Sequence, residues 1–241
     1  IISSKIYDDF GNLISMGIMS DDGKKSGHWK NYYIDGSVRS EGDFLSDKKT
    51  GKWTYYFENG EIEQEGSFKN GRFDGLWQWF YYTGELKRKE NFYNGREDGI
   101  CVEYSKNGDI IETGEYIDGL KEGEWVNNVG DHIEKGFYKE GLREGYWVYY
   151  YLNENIKFEG SFIQGSEDGK HRWYYESGKL KEERYYVFGS KEKVWKFYDE
   201  EGLLFMTITH RNNKEIKING RKIDNKDTEL DNEIGRASCR E

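Results

Sequence analysis

Aromatic residues and glycines recur against a charged background with a period of about 24 residues. Glycines fall at Gly36, Gly60, Gly84 and Gly108, then at Gly130, and again at Gly178 and Gly202, with Glu154 splitting the last gap. A second series runs through Gly42, Gly66, Gly114, Gly136 and Gly160, with Glu90 and Arg184 as substitutions. A third comprises Gly51, Gly75, Gly99, Gly123, Gly145 and Gly169. Trp29, Trp53, Trp77, Trp125, Trp147 and Trp195 keep the same frame, and Cys101 and His171 occupy the tryptophan slot in two further units. About nine units result, the first and last incomplete.

Within a unit the pattern predicts a β-hairpin. In Trp53–Phe68, Asn59-Gly60 reads as a two-residue type I′ turn, because both central positions of that turn need positive φ. Pairing outward sets Phe57 opposite Ile62, Tyr56 opposite Glu63, Tyr55 opposite Gln64 and Trp53 opposite Gly66. Trp53, Tyr55, Phe57, Ile62 and Gly66 then share one face, since strand side chains alternate. That face is the expected core, with each glycine leaving room for the tryptophan across from it. Trp77 faces Glu90 in the same scheme, so looser packing is expected there.

The opposite face carries an aromatic stripe: Tyr32, Tyr56, Phe80, Tyr104, Tyr150, Tyr174 and Tyr198. Arg39, Lys87, Lys157 and Lys181 are expected among its cross-strand partners. The fold class is all-β: an elongated single-layer antiparallel sheet of consecutive hairpins, roughly 80–90 Å long if untwisted. Its two terminal strands expose unpaired edges, so end-to-end self-association is an expected liability.

Composition supports this picture. The 241 residues include 30 Gly, 20 Tyr, 13 Phe and 8 Trp but no Pro, and the single alanine, Ala237, makes a helical protein improbable. Proline would remove ladder N–H donors in such a sheet, although AT-rich coding would also deplete both proline and alanine. The net charge of −10 argues against nucleic acid and against anionic lipid headgroups as general partners. The repeat array is expected over residues 1–213, followed by a charged frayed tail or linker at 214–232. Residues 233–241 (EIGRASCRE) resemble a reading frame of a sequencing-library adapter and are expected to be an artefact of assembly.

The unit G-x-W-x-x-Y-x-x-x-G-x-L-x-x-x-G-x-F, carried best by Gly51–Gly75 and Gly75–Gly99, resembles the MORN repeat, in particular the variant of bacterial YwqK-type antitoxin-like proteins. The resemblance covers about residues 7–210, with departures at Gly130, Glu154, Lys193 and Ile208. It implies consecutive antiparallel hairpins, a role in protein–protein interaction or membrane association, and no catalytic residues.

Candidate chemistry is sparse. His28, His132, His171 and His210 fall in different units and slots, which predicts no shared metal site and no cofactor. Cys101, in a tryptophan slot, reads as a small buried hydrophobe. The tyrosine stripe has two readings, rings covering the pleated backbone and a recognition surface of adaptable contact area. The leading expectation is a non-enzymatic scaffold whose partner is a protein, with a toxin as the antitoxin-like candidate. A glycan- or choline-binding surface module is the alternative, and membrane attachment ranks third. The cytoplasm is the favoured compartment, while Ile1 in place of an initiator Met leaves export open.

Overall fold

The computed structural model describes residues 2–223. Among them are twenty strands and no helix, in one open antiparallel sheet of consecutive hairpins. The fold class expected from the repeat is therefore the one observed.

The chain divides into two compact units, one reaching Gly130 and including Phe137–Leu142, the other formed by Asp131–Gly136 and the chain from Arg143 onward. The first contains β1 (Ile2–Tyr7), β2 (Leu13–Met19), β3 (Lys25–Tyr32), β4 (Val38–Leu45), β5 (Lys48–Tyr56), β6 (Ile62–Lys69), β7 (Arg72–Phe80), β8 (Leu86–Tyr93), β9 (Arg96–Tyr104), β10 (Ile110–Ile117) and β11 (Leu120–Asn128). Strand β12 (His132–Lys139) divides between them. The second unit continues with β13 (Leu142–Tyr151), β14 (Ile156–Ile163), β15 (Ser166–Tyr174), β16 (Leu180–Val187), β17 (Ser190–Tyr198), β18 (Leu204–Arg211), β19 (Lys214–Ile218) and β20 (Arg221–Lys222). Hairpin order thus runs beyond residue 213: β19 pairs with β18 and β20 with β19, where a frayed tail was expected. The suspect segment 233–241 lies outside the described residues.

Two turn types recur. Gly60 N donates to Phe57 O at 2.9 Å and Phe57 N to Glu61 O at 2.8 Å, and only Gly60 of that loop has positive φ, at 86°. This is a three-residue loop, a type I turn closed by a glycine in the left-handed region, and not the expected type I′ turn. The two-residue turns lie at the other end of each strand pair, as at Asn70-Gly71 with φ of 55° and 80°.

The longer loop changes the register beside it. Trp53 faces Gly66 and Tyr55 faces Gln64 as expected, but the ladder then shifts, so Tyr56 faces Ile62 instead of Glu63. Phe57 leaves the ladder and packs against Tyr82, with ring centroids 5.2 Å apart.

In both units the tryptophan-bearing face is the core. Except at Trp195, each indole of the repeat frame rests on a glycine of the preceding strand: a Cβ added at Gly42 would lie 2.4 Å from Trp53, at Gly66 2.3 Å from Trp77, and at Gly136 2.2 Å from Trp147. The glycine directly across the hairpin is thus not the one the indole covers. Trp77 is 0% exposed although it faces Glu90, so the looser packing expected there is absent. Its glycine is Gly66, and the slot residue that Glu90 faces across β9 is Cys101.

Two further contacts fix each ring. The indole N–H donates to a carbonyl of the preceding strand, from Trp53 to Asp43 O at 3.0 Å and from Trp77 to Ser67 O at 2.9 Å. A cation four residues upstream covers the other face, with Lys25, Lys49 and Lys121 at 4.2, 4.4 and 3.9 Å from the ring centroids of Trp29, Trp53 and Trp125. In the second unit Arg143 covers Trp147 at 4.3 Å. These are cation–π contacts, and the lysine and arginine stems shield the ring from water. Above Trp77 the cation is replaced by Phe73, stacked at 3.9 Å. A single-layer sheet thereby buries its tryptophans between glycine backbone below and a long side chain above.

Candidate functional site

The stripe residues occupy one register position on the face opposite the tryptophans. In the first unit Tyr32, Tyr56, Phe80 and Tyr104 end β3, β5, β7 and β9; in the second, Tyr150 lies in β13, and Tyr174 and Tyr198 end β15 and β17. All seven are half-buried.

Ion pairs cross this face between the rings. Lys30 Nζ lies 2.9 Å from Glu41 Oε2, and the Tyr56 hydroxyl donates to Glu41 Oε1 at 2.7 Å. Those donors hold the Glu41 carboxyl at about 2, while burial and the neighbouring carboxylate push the Tyr56 phenol up to about 12. The second unit repeats the arrangement: the Tyr174 hydroxyl donates to Glu159 Oε1 at 2.7 Å, and Arg172 Nη1 lies 2.9 Å from the same oxygen. Tyr146 also donates to Glu159. The two readings of the stripe therefore overlap, since Tyr56 and Tyr174 are tied down by carboxylates of their own sheet while each still presents part of its ring.

A second tyrosine series one residue further on was missed from sequence. The Tyr33 hydroxyl donates to Tyr56 O at 2.7 Å and the Tyr81 hydroxyl to Tyr104 O at 2.8 Å. In the other unit Tyr151 and Tyr175 reach Tyr174 O and Tyr198 O, each at 2.8 Å. These hydroxyls join one repeat to the next at a backbone carbonyl next to a turn, where the ladder has no partner for it. The signal was present in the doublets Tyr32-Tyr33, Phe80-Tyr81, Tyr150-Tyr151 and Tyr174-Tyr175. The lysines expected beside the stripe attend this second series: Lys87 lies 5.8 Å from the Tyr81 ring, Lys157 5.5 Å from Tyr151 and Lys181 5.4 Å from Tyr175. The register shift at the three-residue loop moves them there.

The histidines sit in separate places. His28 approaches Asp43 and Glu41 at 3.2 and 3.3 Å, and His132 lies beside Asp131. Among the described residues no group of three or more His, Cys, Asp or Glu side chains is arranged to hold a metal ion. Cys101 is fully buried, and burial pushes its thiol up to about 12, which leaves it protonated and unreactive at neutral pH.

His171 reproduces the tryptophan it replaces. Its Nε2–H donates to Ser161 O at 2.7 Å, and a Cβ at Gly160 would lie 2.7 Å from the imidazole. Burial holds its pKa below the ordinary 6.5. Such a group is neutral when folded and takes up a proton more readily when unfolded. Its contribution to stability is complete above pH 6.5 and is lost as pH falls through the lowered folded value. The His171→Trp variant lacks that proton uptake. The difference in urea midpoint between variant and wild type should therefore grow in the variant's favour as pH falls from about 7 to about 5. A constant difference across that range would show that His171 does not titrate with folding.

Fold and surface together define an open β-hairpin repeat scaffold with an aromatic, ion-paired face. The family model for the MORN repeat variant matches residues 49–70, 73–94, 97–118 and 167–187, each match spanning one hairpin. Four of the hairpins thus match the MORN repeat of the variant type, a repeat module generally involved in protein or membrane interaction. No curated protein matches the chain. Among solved structures, a chain in the crystal structure of TcdB2-TccC3-Cdc42 matches with 11% identity and a TM-score of 0.20, over 88% of this chain and 14% of that one. A chain of the Photorhabdus luminescens Tc holotoxin pore, carrying a TccC3 mutation, matches with 11% identity and a TM-score of 0.21, over 87% and 13%. The present chain thus spans about one seventh of the length of either.

Proposed function

We propose that this chain is a non-catalytic scaffold that binds a protein partner through the sheet face carrying Tyr32, Tyr56, Phe80, Tyr104, Tyr150, Tyr174 and Tyr198. The supporting observation is the division of labour between the two faces. The tryptophans are buried and capped by lysine, arginine or phenylalanine, so the core is complete without a partner. The opposite face presents half-buried aromatic rings at one register position, with Leu76 and Ile100 exposed by 49% and 61% beside them. Large rings with few rotatable bonds, set among ion pairs, suit protein recognition. The same burial disfavours sugar or choline stacking, because the indole faces are already covered. The resemblance to antitoxin-like proteins makes an immunity-type partner the first to try.

The test is a triple Tyr32→Ser, Tyr104→Ser, Tyr150→Ser variant, which spares the carboxylate-tied Tyr56 and Tyr174. Partners crosslinked to the wild-type chain in its host and identified by mass spectrometry should be lost from the variant while far-UV circular dichroism is unchanged. Loss of the fold would assign the stripe to packing. Binding of the wild-type chain to anionic liposomes at physiological salt would assign it to membranes.

A further inference from the structure

The polar face is not uniform. Along the middle row of the first unit, the position preceding the second glycine series is Glu41 in β4 and Glu65 in β6, but Lys89 in β8 and Thr113 in β10. Both acids are paired: Lys30 lies 2.9 Å from Glu41 and Lys52 2.8 Å from Glu65. In the second unit the equivalent Glu159 and Glu183 also have cationic partners, Arg172 at 2.9 Å and Lys170 at 3.3 Å, while the equivalent Lys135 in β12 lies over the Tyr150 ring at 5.2 Å.

Within the first unit Lys89 differs in both sign and surroundings. Its cross-strand neighbours are Gln78 on β7 and Val102 on β9. The next residues along those strands on the same face are Leu76, Phe80, Ile100 and Tyr104. The carboxylates of Glu90 and Glu103 belong to the opposite face, where Arg88 holds them at 2.7 and 3.6 Å. Among the described residues no acid of this chain pairs with Lys89.

The row before Trp changes in the same place. Its members in the first unit are His28, Lys52, Leu76, Ile100 and Glu124, so within that unit polar residues give way to two exposed aliphatic ones where they flank Lys89. The result is an ammonium set among aliphatic and aromatic side chains. An ion pair in such a setting is less screened than one at an open surface.

We infer that the patch centred on Lys89, with Leu76, Ile100, Val102, Phe80 and Tyr104 around it, is the binding centre of the interaction face, and that its occupant is a partner segment presenting one carboxylate flanked by apolar side chains. The inference rests on the proposal that this face binds protein. Charge complementarity selects the partner. In the same row the acids Glu41 and Glu65 are met by lysines of this chain, and at Lys89 the missing element is an acid. The apolar ring selects the residues on either side of that acid.

The repeat supplies test substitutions with known structural tolerance. Glu stands at the Lys89 position in two neighbouring hairpins, and Lys at the Ile100 position in β5. The variants K89E and I100K should therefore fold, which near-UV circular dichroism checks. A phage-displayed library of random twelve-residue peptides is selected on the wild-type chain, and binders are titrated against each variant. The expected result is enrichment of Asp or Glu flanked by apolar residues, at least tenfold weaker binding to K89E and I100K, and a switch to Lys or Arg when K89E itself is the bait.

Enriched peptides that lack an acid, or that ignore K89E while responding to the Tyr32, Tyr104 and Tyr150 variant, would overturn this inference and leave the broader interaction reading standing. Peptides indifferent to every substitution on the face, or no enrichment at all, would overturn both. Sedimentation velocity closes the remaining route. A dimer of the wild-type chain that dissociates in K89E would make a second copy the occupant and overturn the assignment to a foreign partner.

Discussion

Gly66→Ala is expected to lower stability by about 3 kcal/mol or more, for the addition of one methyl group. Gly66 has an extended backbone that alanine adopts freely, so the whole effect is steric. The new Cβ would lie 2.3 Å from Trp77 Cδ2 and 2.5 Å from Cε2 and Cγ. The indole cannot retreat, because Phe73 stacks on its other side at 3.9 Å and its N–H is held by Ser67 O at 2.9 Å. It must leave its site and lose the burial of a tryptophan, which sets the magnitude. Gly60→Ala, at a positive-φ turn with open space around it, should cost only about 1 kcal/mol. Urea unfolding followed by tryptophan fluorescence separates the two. Adding Trp77→Cys to Gly66→Ala should cost far less than the sum of the single changes, and strict additivity would refute the contact.

Cys101→Trp is expected to cost a similar amount, although it restores the residue the repeat uses elsewhere. The reason lies on the preceding strand, where Glu90 occupies the glycine position and is 3% exposed. Its carboxylate is bound by Arg88 Nη2 at 2.7 Å, and Arg88 Nε already has no hydrogen-bond partner. An indole at 101 would evict the glutamate side chain and strand the arginine, a loss of about 3 kcal/mol. Glu90→Gly together with Cys101→Trp should recover most of the stability. The idea fails if Cys101→Trp alone is neutral in the denaturation midpoint. The second unit shows the complementary solution: Arg184 stands in the glycine slot and Trp195 is kept, with the guanidinium 5.0 Å from that ring and 4.5 Å from Trp173. A cation can lie against an indole face, and a carboxylate is repelled by it.

The hairpins, the face assignment and the register from Trp53–Gly66 to Tyr55–Gln64 were legible because glycine and tryptophan mark most units. The choice of glycine beneath each indole was not. Pairing outward from a turn shows only the strand across the hairpin, whereas the contact that matters runs to the strand before, through the register shift between Glu65 and Ser67 on β6. Asn59-Gly60 misled for a related reason, since Asn-Gly serves both a two-residue turn and the end of a three-residue loop. Here Asn59 Oδ1 accepts from Glu61 N at 3.1 Å, a side-chain turn that leaves Asn59 itself at negative φ. The stripe was located correctly by position, but its fastening was not, because hydroxyl bonds from Tyr33 and Tyr81 to a backbone carbonyl 23 residues on leave no trace in a hydrophobic pattern.

The fit of indole onto glycine across hairpins also governs how such a gene can lengthen or shorten. Removing residues 73–96 would bring Gly66 against Cys101 and leave a void the size of a missing ring, and removing 97–120 would drive Trp125 onto Glu90. Removing 73–120 as one block would seat Trp125 on Gly66, a pair already in use throughout the array. Units that look interchangeable by period can therefore be removed without mismatch only in matched runs, each joint cut to its neighbour.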